Sequence, residues 1–354
     1  MRYEQIARER AQALRERGRA RILAIESSCD ETAAALIEDG RMIRSSLIAT
    51  QIDTHKLYGG VVPEIASRMH VQALDPLLDQ ALSQAGMTVE EIDAVGVTYG
   101  PGLVGALLTG LSWAKAFAYA RGLPLVPVNH IEGHVSANYL CHPELEPPFV
   151  CLVVSGGHSH IVRVDRYGHY TVLGRTYDDA AGEAFDKVAR VLEIPYPGGP
   201  LLDKLAETGD EHFYSFPKVA TPGPYDFSFS GLKTAVINQA HKLRQNGEAI
   251  RAADFAASIR RAVVDLLVDK SVRACLDCGD KKLAIAGGVS SNLLLRREMQ
   301  RRGEGAGLQV FMPERVLCTD NAAMIGSAAF YQLMAGHIAP LSQNAVPTAR
   351  LGDW

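Results

Sequence analysis

His130 and His134, within Asn129-His130-Ile131-Glu132-Gly133-His134, stand four residues apart, and on an α-helix that spacing turns both imidazoles to one face. Two rings so placed can chelate a divalent cation, since neutral imidazole is the commonest protein ligand for zinc or iron. The alternative is a pair of helix-surface or core histidines. The pattern is not the zinc-protease His-Glu-x-x-His, because Ile131 follows the first histidine and Glu132 lies beside Gly133, so that motif's general-base glutamate is missing. A third ligand must come from elsewhere. Asp320, in Cys318-Thr319-Asp320-Asn321, is the candidate.

The elements that must position these residues read as two related halves. Each opens with an apolar strand that ends in a polar turn, runs into a second strand, and turns again at a glycine. In the first half these are residues 21–26, 27–31 and 32–38, with Asp39-Gly40 as a hairpin signal. In the second they are 149–154, Ser155-Gly156-Gly157-His158 and 160–164, with Tyr167-Gly168 before a strand at 170–173. Later in each half a strand enters a glycine-rich loop and then a helix: 92–98 with Gly100-Pro101-Gly102, and 282–286 with Gly287-Gly288. Such loops can bring backbone N–H groups to a phosphate, or serve only as tight connections. Helical stretches are predicted over 63–84, 104–120, 182–192, 200–208 and 250–275, and a proline- and aromatic-rich surface loop over 216–229. That loop carries Ser228-Phe229-Ser230-Gly231-Leu232-Lys233, which either contacts substrate or caps the helix beginning near Gly231.

Composition sets bounds on partners and compartment. The 354 residues, 47% hydrophobic and 21% charged, describe a soluble globular chain long enough for two domains. A net charge of −4 excludes a protein coated in positive potential, so a nucleic acid must be met by a local patch. Residues 1–21 offer one: seven arginines (Arg2, Arg8, Arg10, Arg15, Arg17, Arg19, Arg21) against three glutamates (Glu4, Glu9, Glu16). This is a basic helical arm, or else a solvated terminal helix. The first twenty residues lack the apolar stretch of a secretion signal, so a cytoplasmic protein is expected. The apolar helix at 104–120 is interrupted by Thr109, Ser112 and Lys115 and is too short to argue for a membrane span. Six scattered cysteines, including Cys275 and Cys278 as one C-x-x-C, fit reduced, helix-packing thiols.

Taken jointly, these motifs resemble one family: the universal tRNA threonylcarbamoyladenosine synthase subunit, called TsaD in bacteria and Kae-type in archaea and eukaryotes, formerly described as a glycoprotease (O-sialoglycoprotein endopeptidase). The resemblance rests on Ala24-Ile25-Glu26-Ser27-Ser28-Cys29-Asp30-Glu31-Thr32, residues 129–134, residues 154–158, Gly182-Glu183-Ala184-Phe185-Asp186-Lys187, Pro197-Gly198-Gly199-Pro200, residues 228–233, residues 287–292 and Cys318-Thr319-Asp320-Asn321, in family order. It covers roughly residues 21–345, and the joint occurrence is far more specific than any one motif. It implies an α/β fold of the duplicated ASKHA type, shared with actin, sugar kinases and chaperone ATPases, with two lobes and a ligand cleft between them. The expected division is a basic arm at 1–20, an N-terminal lobe at 21–148, a C-terminal lobe at 149–345 and a tail at 346–354.

By the same resemblance, His130, His134 and Asp320 bind one divalent metal, iron or zinc. Val153, Val154, Ser155, Gly156 and Gly157 approach the phosphate and substrate carbonyl, Asp186 and Asp203 accept the ribose hydroxyls, and Gly199 and Asn292 border the adenine. Each role suits its residue type, although Asp186 beside Lys187 also reads as an ordinary helix ion pair. Asp30 and Glu31, on the first turn, are the candidate catalytic residues. The implied reaction moves a threonylcarbamoyl group from threonylcarbamoyl-AMP to the exocyclic amine of the adenosine next to the anticodon in tRNAs reading ANN codons. The implied partners are tRNA, a TsaB-like paralogue and a TsaE-like ATPase. Two competing readings are a metalloprotease, which lacks its glutamate, and an ASKHA-type small-molecule kinase or nucleotide-binding module, which has no need of the histidine pair.

Overall fold

The computed structural model describes residues 2–217 and 221–352. Residue 1 of the expected arm, 218–220 of the expected loop and 353–354 of the expected tail lie outside the described residues. The first half runs α1 (Arg2–Arg17), β1 (Arg21–Glu26), β2 (Glu31–Glu38), β3 (Met42–Thr50), α2 (Ile52–Lys56), α3 (Pro63–Ala85), β4 (Ala94–Gly100), α4 (Val104–Arg121), β5 (Leu125–Asn129) and α5 (His130–Cys141). The second runs β6 (Phe149–Val154), β7 (Ser159–Arg166), β8 (His169–Arg175), α6 (Ala181–Val191), α7 (Gly198–Ala206), α8 (Ser230–Gln245), α9 (Ala252–Asp277), β9 (Lys282–Ala286), α10 (Leu293–Gly305), β10 (Gln309–Phe311) and α11 (Ala322–Ala335).

The duplication is visible in topology. One sheet has the order β3-β2-β1-β4-β5 and the other β10-β9-β6-β7-β8. In each, the opening strand is central, with an antiparallel neighbour on one side and a parallel one on the other. Central strands buried on both faces must be apolar along their whole length, and Ile22–Ile25 and Val150–Val154 are fully buried. The β2–β3 turn is closed by Asp39 and Gly40, both at left-handed φ (54° and 71°), which the hairpin twist requires. No helix among the described residues is long and apolar enough to cross a membrane. None of the six cysteines, all of them among the described residues, is in a disulfide.

Contacts divide the chain into two compact units. One comprises the chain through Pro147, Arg166–Tyr170 and everything from Thr319 on; the other comprises Pro148–Asp165 and Thr171–Cys318. Residues 319–345, read from sequence with the second lobe, therefore pack with the first unit: α11 lies on β1, β2, β4 and α5. Small residues make that approach possible. A Cβ on Gly326 would sit 2.4 Å from Ile37 Cγ1, and one on Gly96 2.5 Å from Ala329 Cβ, so the helix rests on the sheet where any larger side chain would hold it off.

The N-terminal segment is a docked helix, with most of its arginines engaged. Tyr3, Ala7, Ala11 and Leu14 recur at helical spacing and are buried, and the Tyr3 hydroxyl donates to Leu123 O at 2.9 Å. Arg10 donates to Arg121 O at the end of α4, Arg15 to Met334 O at the end of α11, and Arg17 pairs with Asp93. Cations there meet the negative ends of two helices. Arg19 and Arg21 pair with Asp39, Glu38 and Glu91. Deleting residues 1–20 should therefore cost about 3 kcal/mol or more from lost burial of Tyr3 and Leu14, read as a lower thermal midpoint. An unchanged midpoint together with a reduced salt slope of tRNA binding would restore the phosphate-contact reading.

Candidate functional site

Two asparagine caps set the positions of the three predicted metal ligands. Asn129 Oδ1 accepts the Ile131 N–H at 2.9 Å, starting α5 so that His130 and His134 share a face. Asn321 Oδ1 accepts the Met324 N–H at 2.9 Å, starting α11 and leaving Asp320 just outside it. The Nε2 atoms of His130 and His134 stand 3.4 and 3.3 Å from Asp320 Oδ1. The two rings are 4.6 Å apart at 79°. One ligand atom from each of the three residues lies within 4.8 Å of the other two.

These residues fit a divalent cation. His134 is fully buried, and neither ring nitrogen makes a hydrogen bond; Nε2 is close to Asp320 but off the geometry that a hydrogen bond needs. A buried polar atom without a partner is costly, and an ion accepting both imidazoles and the carboxylate would satisfy it. Mixed nitrogen and oxygen donors suit iron or zinc, and three protein ligands leave a position open. Burial alone would lower the His130 pKa, yet Asp320 and Glu26 raise it well above its ordinary value. Against its own burial, Asp320 is held well below the carboxylate range by the two imidazoles, while burial lowers His134.

Glu26 closes β1 and is fully buried. Its Oε2 accepts the Thr98 hydroxyl at 2.6 Å and faces His130 Nδ1 at 3.0 Å, and Oε1 accepts the Ser28 N–H at 2.5 Å. No spacing rule singles it out. The signal that could have found it is a lone carboxylate ending an otherwise apolar strand. Glu132, between the histidines, is engaged elsewhere: its Oε1 receives Gln332 Nε2 at 2.5 Å and the Tyr170 hydroxyl at 3.1 Å, and burial pushes its carboxyl up to about 8. It ties α5 to α11 and is not presented as a protease base.

Of the first-turn carboxylates, Glu31 is the more constrained. Its Oε1 accepts the Thr50 hydroxyl at 2.9 Å, while Oε2 is buried and has no hydrogen-bond partner. Burial raises its pKa to about 7 against the Thr50 hydrogen bond, helped by the charges of Asp30 and Asp320. Asp30 accepts the Gln51 N–H through its backbone oxygen. The Gly100-Pro101-Gly102 loop, by contrast, is not free to cradle a phosphate. Gly102 N donates to Pro347 O, Leu103 N donates to Ser28 O, and a Cβ on Gly100 would lie 2.0 Å from Val346 O. Its glycines serve close backbone packing.

The second unit carries the predicted nucleotide residues. Val153 and Val154 are fully buried strand residues, Val153 paired on both sides with His160 and Ala286. The loop beyond them is fixed by Ser155 N to His158 O at 2.8 Å and Glu183 N to Gly156 O at 3.1 Å. Gly156 and Gly157 are exposed, and a Cβ on either would meet nothing within 4 Å. Two further glycines press on this loop. A Cβ on Gly182 would lie 2.7 Å from Ser155 O, and Gly287, at φ 87°, would place one 2.4 Å from Val154 O. Packing thus accounts for Gly287.

Asp186 is not the partner of Lys187, which pairs with Asp179 and Glu183 at 2.7 Å each. Instead Asp186 Oδ1 accepts the Gly199 N–H at 2.9 Å, and burial raises its pKa despite that bond. Asp203 Oδ1 accepts Arg260 Nη1 at 2.8 Å and Asn292 Nδ2 at 2.7 Å, and Asn292 Oδ1 caps α10 through Leu295 N at 2.9 Å. Asn292 therefore both donates and accepts within the protein. Ser228 does not cap α8 itself: its hydroxyl donates to Asp178, whose other oxygen takes the N–H groups of Phe229 and Ser230 at 2.7 and 3.2 Å.

Comparison with known proteins shows the family and the fold. A family model described as TsaD, tRNA N6-adenosine threonylcarbamoyltransferase, matches residues 42–327. A protein of that name from Clostridium perfringens is 54% identical over 94% of this chain and 98% of its own. One from Clostridium botulinum is 53% identical over the same shares. Among solved structures, full-length HypF in its phosphate- and nucleotide-bound form is similar at a TM-score of 0.60 and 13% identity, over 89% of this chain and 46% of that one. That likeness shows the fold alone, the duplicated α/β architecture of the ASKHA class. The chain belongs to the TsaD family of tRNA N6-adenosine threonylcarbamoyltransferases.

Proposed function

We propose that this protein transfers the threonylcarbamoyl group of threonylcarbamoyl-AMP to N6 of the adenosine next to the anticodon in tRNAs reading ANN codons, as a cytoplasmic enzyme working with a TsaB-like paralogue and a TsaE-like ATPase. The observation that carries the metal-dependent form of this reading is the buried His134, its ring nitrogens without hydrogen bonds, facing Asp320 beside His130. His130, His134 and Asp320 would hold one divalent ion, iron foremost or zinc. When bound, such an ion supplies Lewis acidity toward a phosphate or carbonyl oxygen.

The remaining chemistry falls to the chain itself. The exocyclic amine is a weak nucleophile, its lone pair delocalised into the purine, so the acyl donor must be an activated mixed anhydride. In the transfer, N6 bonds to the carbamoyl carbon, the bond from that carbon to the phosphate oxygen breaks, and AMP departs with the electron pair. We assign the displaced N6 proton to Glu31, whose unpartnered oxygen and near-neutral affinity suit a general base. The amides of Gly156 and Gly157 are assigned to the phosphate, Asp186 and Asp203 to the ribose, and Gly199 and Asn292 to the adenine edge. Arg260, paired with Asp203, offsets that carboxylate's repulsion of a phosphate. A single-stranded anticodon loop presents its base without the cost of unpairing.

The test is AMP release from threonylcarbamoyl-AMP with and without tRNA. Release that requires tRNA supports the transferase; tRNA-independent phosphorylation of a small molecule supports a kinase instead. Asp186→Ala should weaken AMP binding roughly 10- to 100-fold, as loss of a charged hydrogen bond does, with metal content unchanged. Equal loss of both in calorimetry and metal analysis would contradict the ribose assignment.

A further inference from the structure

The two imidazoles of the metal triad are not equivalent. His130 Nδ1 faces Glu26 Oε2 at 3.0 Å, and Glu26 is in turn fixed by the Thr98 hydroxyl at 2.6 Å and the Ser28 N–H at 2.5 Å. The Ser28 hydroxyl also lies 3.2 Å from His130 Nδ1. His134 Nδ1 has no partner at all. The carboxylate is fully buried, so its geometry is set by these bonds and not by solvent.

We propose that Glu26 is the positioning residue of the metal centre: it fixes His130 as the tautomer protonated on Nδ1 and aims Nε2 toward Asp320 and the ion. The inference rests on the metal reading above. Its physical basis is general. A carboxylate accepting the outer N–H of a metal-bound imidazole sets the ring's orientation and raises the basicity of the coordinating nitrogen, and losing such a partner typically weakens metal binding. A charge buried at the end of a strand is otherwise expensive, and here the bonds from Thr98, Ser28 and His130 offset that cost. The support runs from β4 through β1 to α5, so the sheet itself holds one ligand rigid. Nothing comparable holds the other ring.

Two experiments on the full-length protein test this. In the first, cobalt(II) is titrated into the metal-free wild type, Glu26→Gln, Thr98→Val and His130→Ala, following visible absorption and chelator competition. Glu26→Gln should bind about 10- to 100-fold more weakly with shifted cobalt bands, Thr98→Val should fall in between, and His130→Ala should lose the site. Affinity of Glu26→Gln within about twofold of wild type, beside a loss in His130→Ala, overturns the proposal. Absence of stoichiometric cobalt binding by the wild type overturns the metal reading on which it rests. In the second, which needs no variant to fold, long-range nitrogen–proton NMR correlations on zinc-loaded wild type should show His130 protonated on Nδ1. An Nε2-protonated His130 rules the proposal out.

Discussion

Replacing His130 or His134 with alanine is expected to abolish bound metal and threonylcarbamoyl transfer while leaving the fold intact. Three candidate ligands converge within 4.8 Å, and a site of three cannot lose one and still hold an ion against solvent and competing chelators. The effect should exceed the roughly 10- to 100-fold typical of losing an outer partner. The fold should survive because the triad lies on elements held by other means: asparagine caps on α5 and α11 and the glycine-lined packing of α11 on the sheet. At His134 the substitution even removes two buried ring nitrogens that make no hydrogen bond. The check combines elemental analysis, tRNA-dependent AMP release and thermal unfolding. Full metal occupancy in either variant, or activity near wild type, would contradict the assignment.

Glu31→Gln should be the second severe loss, about 10²- to 10⁴-fold in the transfer rate, the usual worth of a general base. It also carries a pH signature. Burial raises the Glu31 carboxyl from 4.5 to about 7, so the wild-type rate should fall as pH drops below about 7, and the variant's residual rate should not show that limb. Stability moves the opposite way. A carboxyl with a raised folded-state pKa favours the folded protein when protonated, and that contribution is full below the unfolded value of 4.5 and lost as pH rises through about 7. Glutamine mimics the protonated form, so the variant should unfold at a higher temperature than wild type at pH 8. A variant that is inactive but less stable at pH 8 would speak for a structural role; one with full activity would remove Glu31 from the mechanism.

What the sequence made legible follows the physics of local signals. The runs at residues 21–26, 149–154 and 282–286 match β1, β6 and β9 residue for residue, because central strands leave a continuous apolar trace bounded by glycine or polar turns. The histidine spacing could be read because α5 converts it directly into a shared face. Long-range placement was less legible. Asp320 could be named as a partner, but the return of residues 319 onward to the first unit depends on Gly96 and Gly326 admitting α11 to the sheet, and no local pattern encodes which helix fills that space. Charge patterning described the N-terminal arginines as a basic arm. Its apolar spacing, Tyr3, Ala7, Ala11 and Leu14, was the better guide, since burial of that face decides where the helix goes. The glycines at 100 and 102 illustrate a general ambiguity: close packing against backbone and approach to a phosphate ask for the same residue.

The most direct test of the metal centre is an anomalous difference map from crystals of metal-loaded protein, recorded at the absorption edge of the metal supplied. A single strong peak is expected about 2.0–2.2 Å from Nε2 of His130, Nε2 of His134 and a carboxylate oxygen of Asp320. A peak that leaves any of the three uncoordinated, or no peak there in protein shown to carry metal, would contradict that coordination.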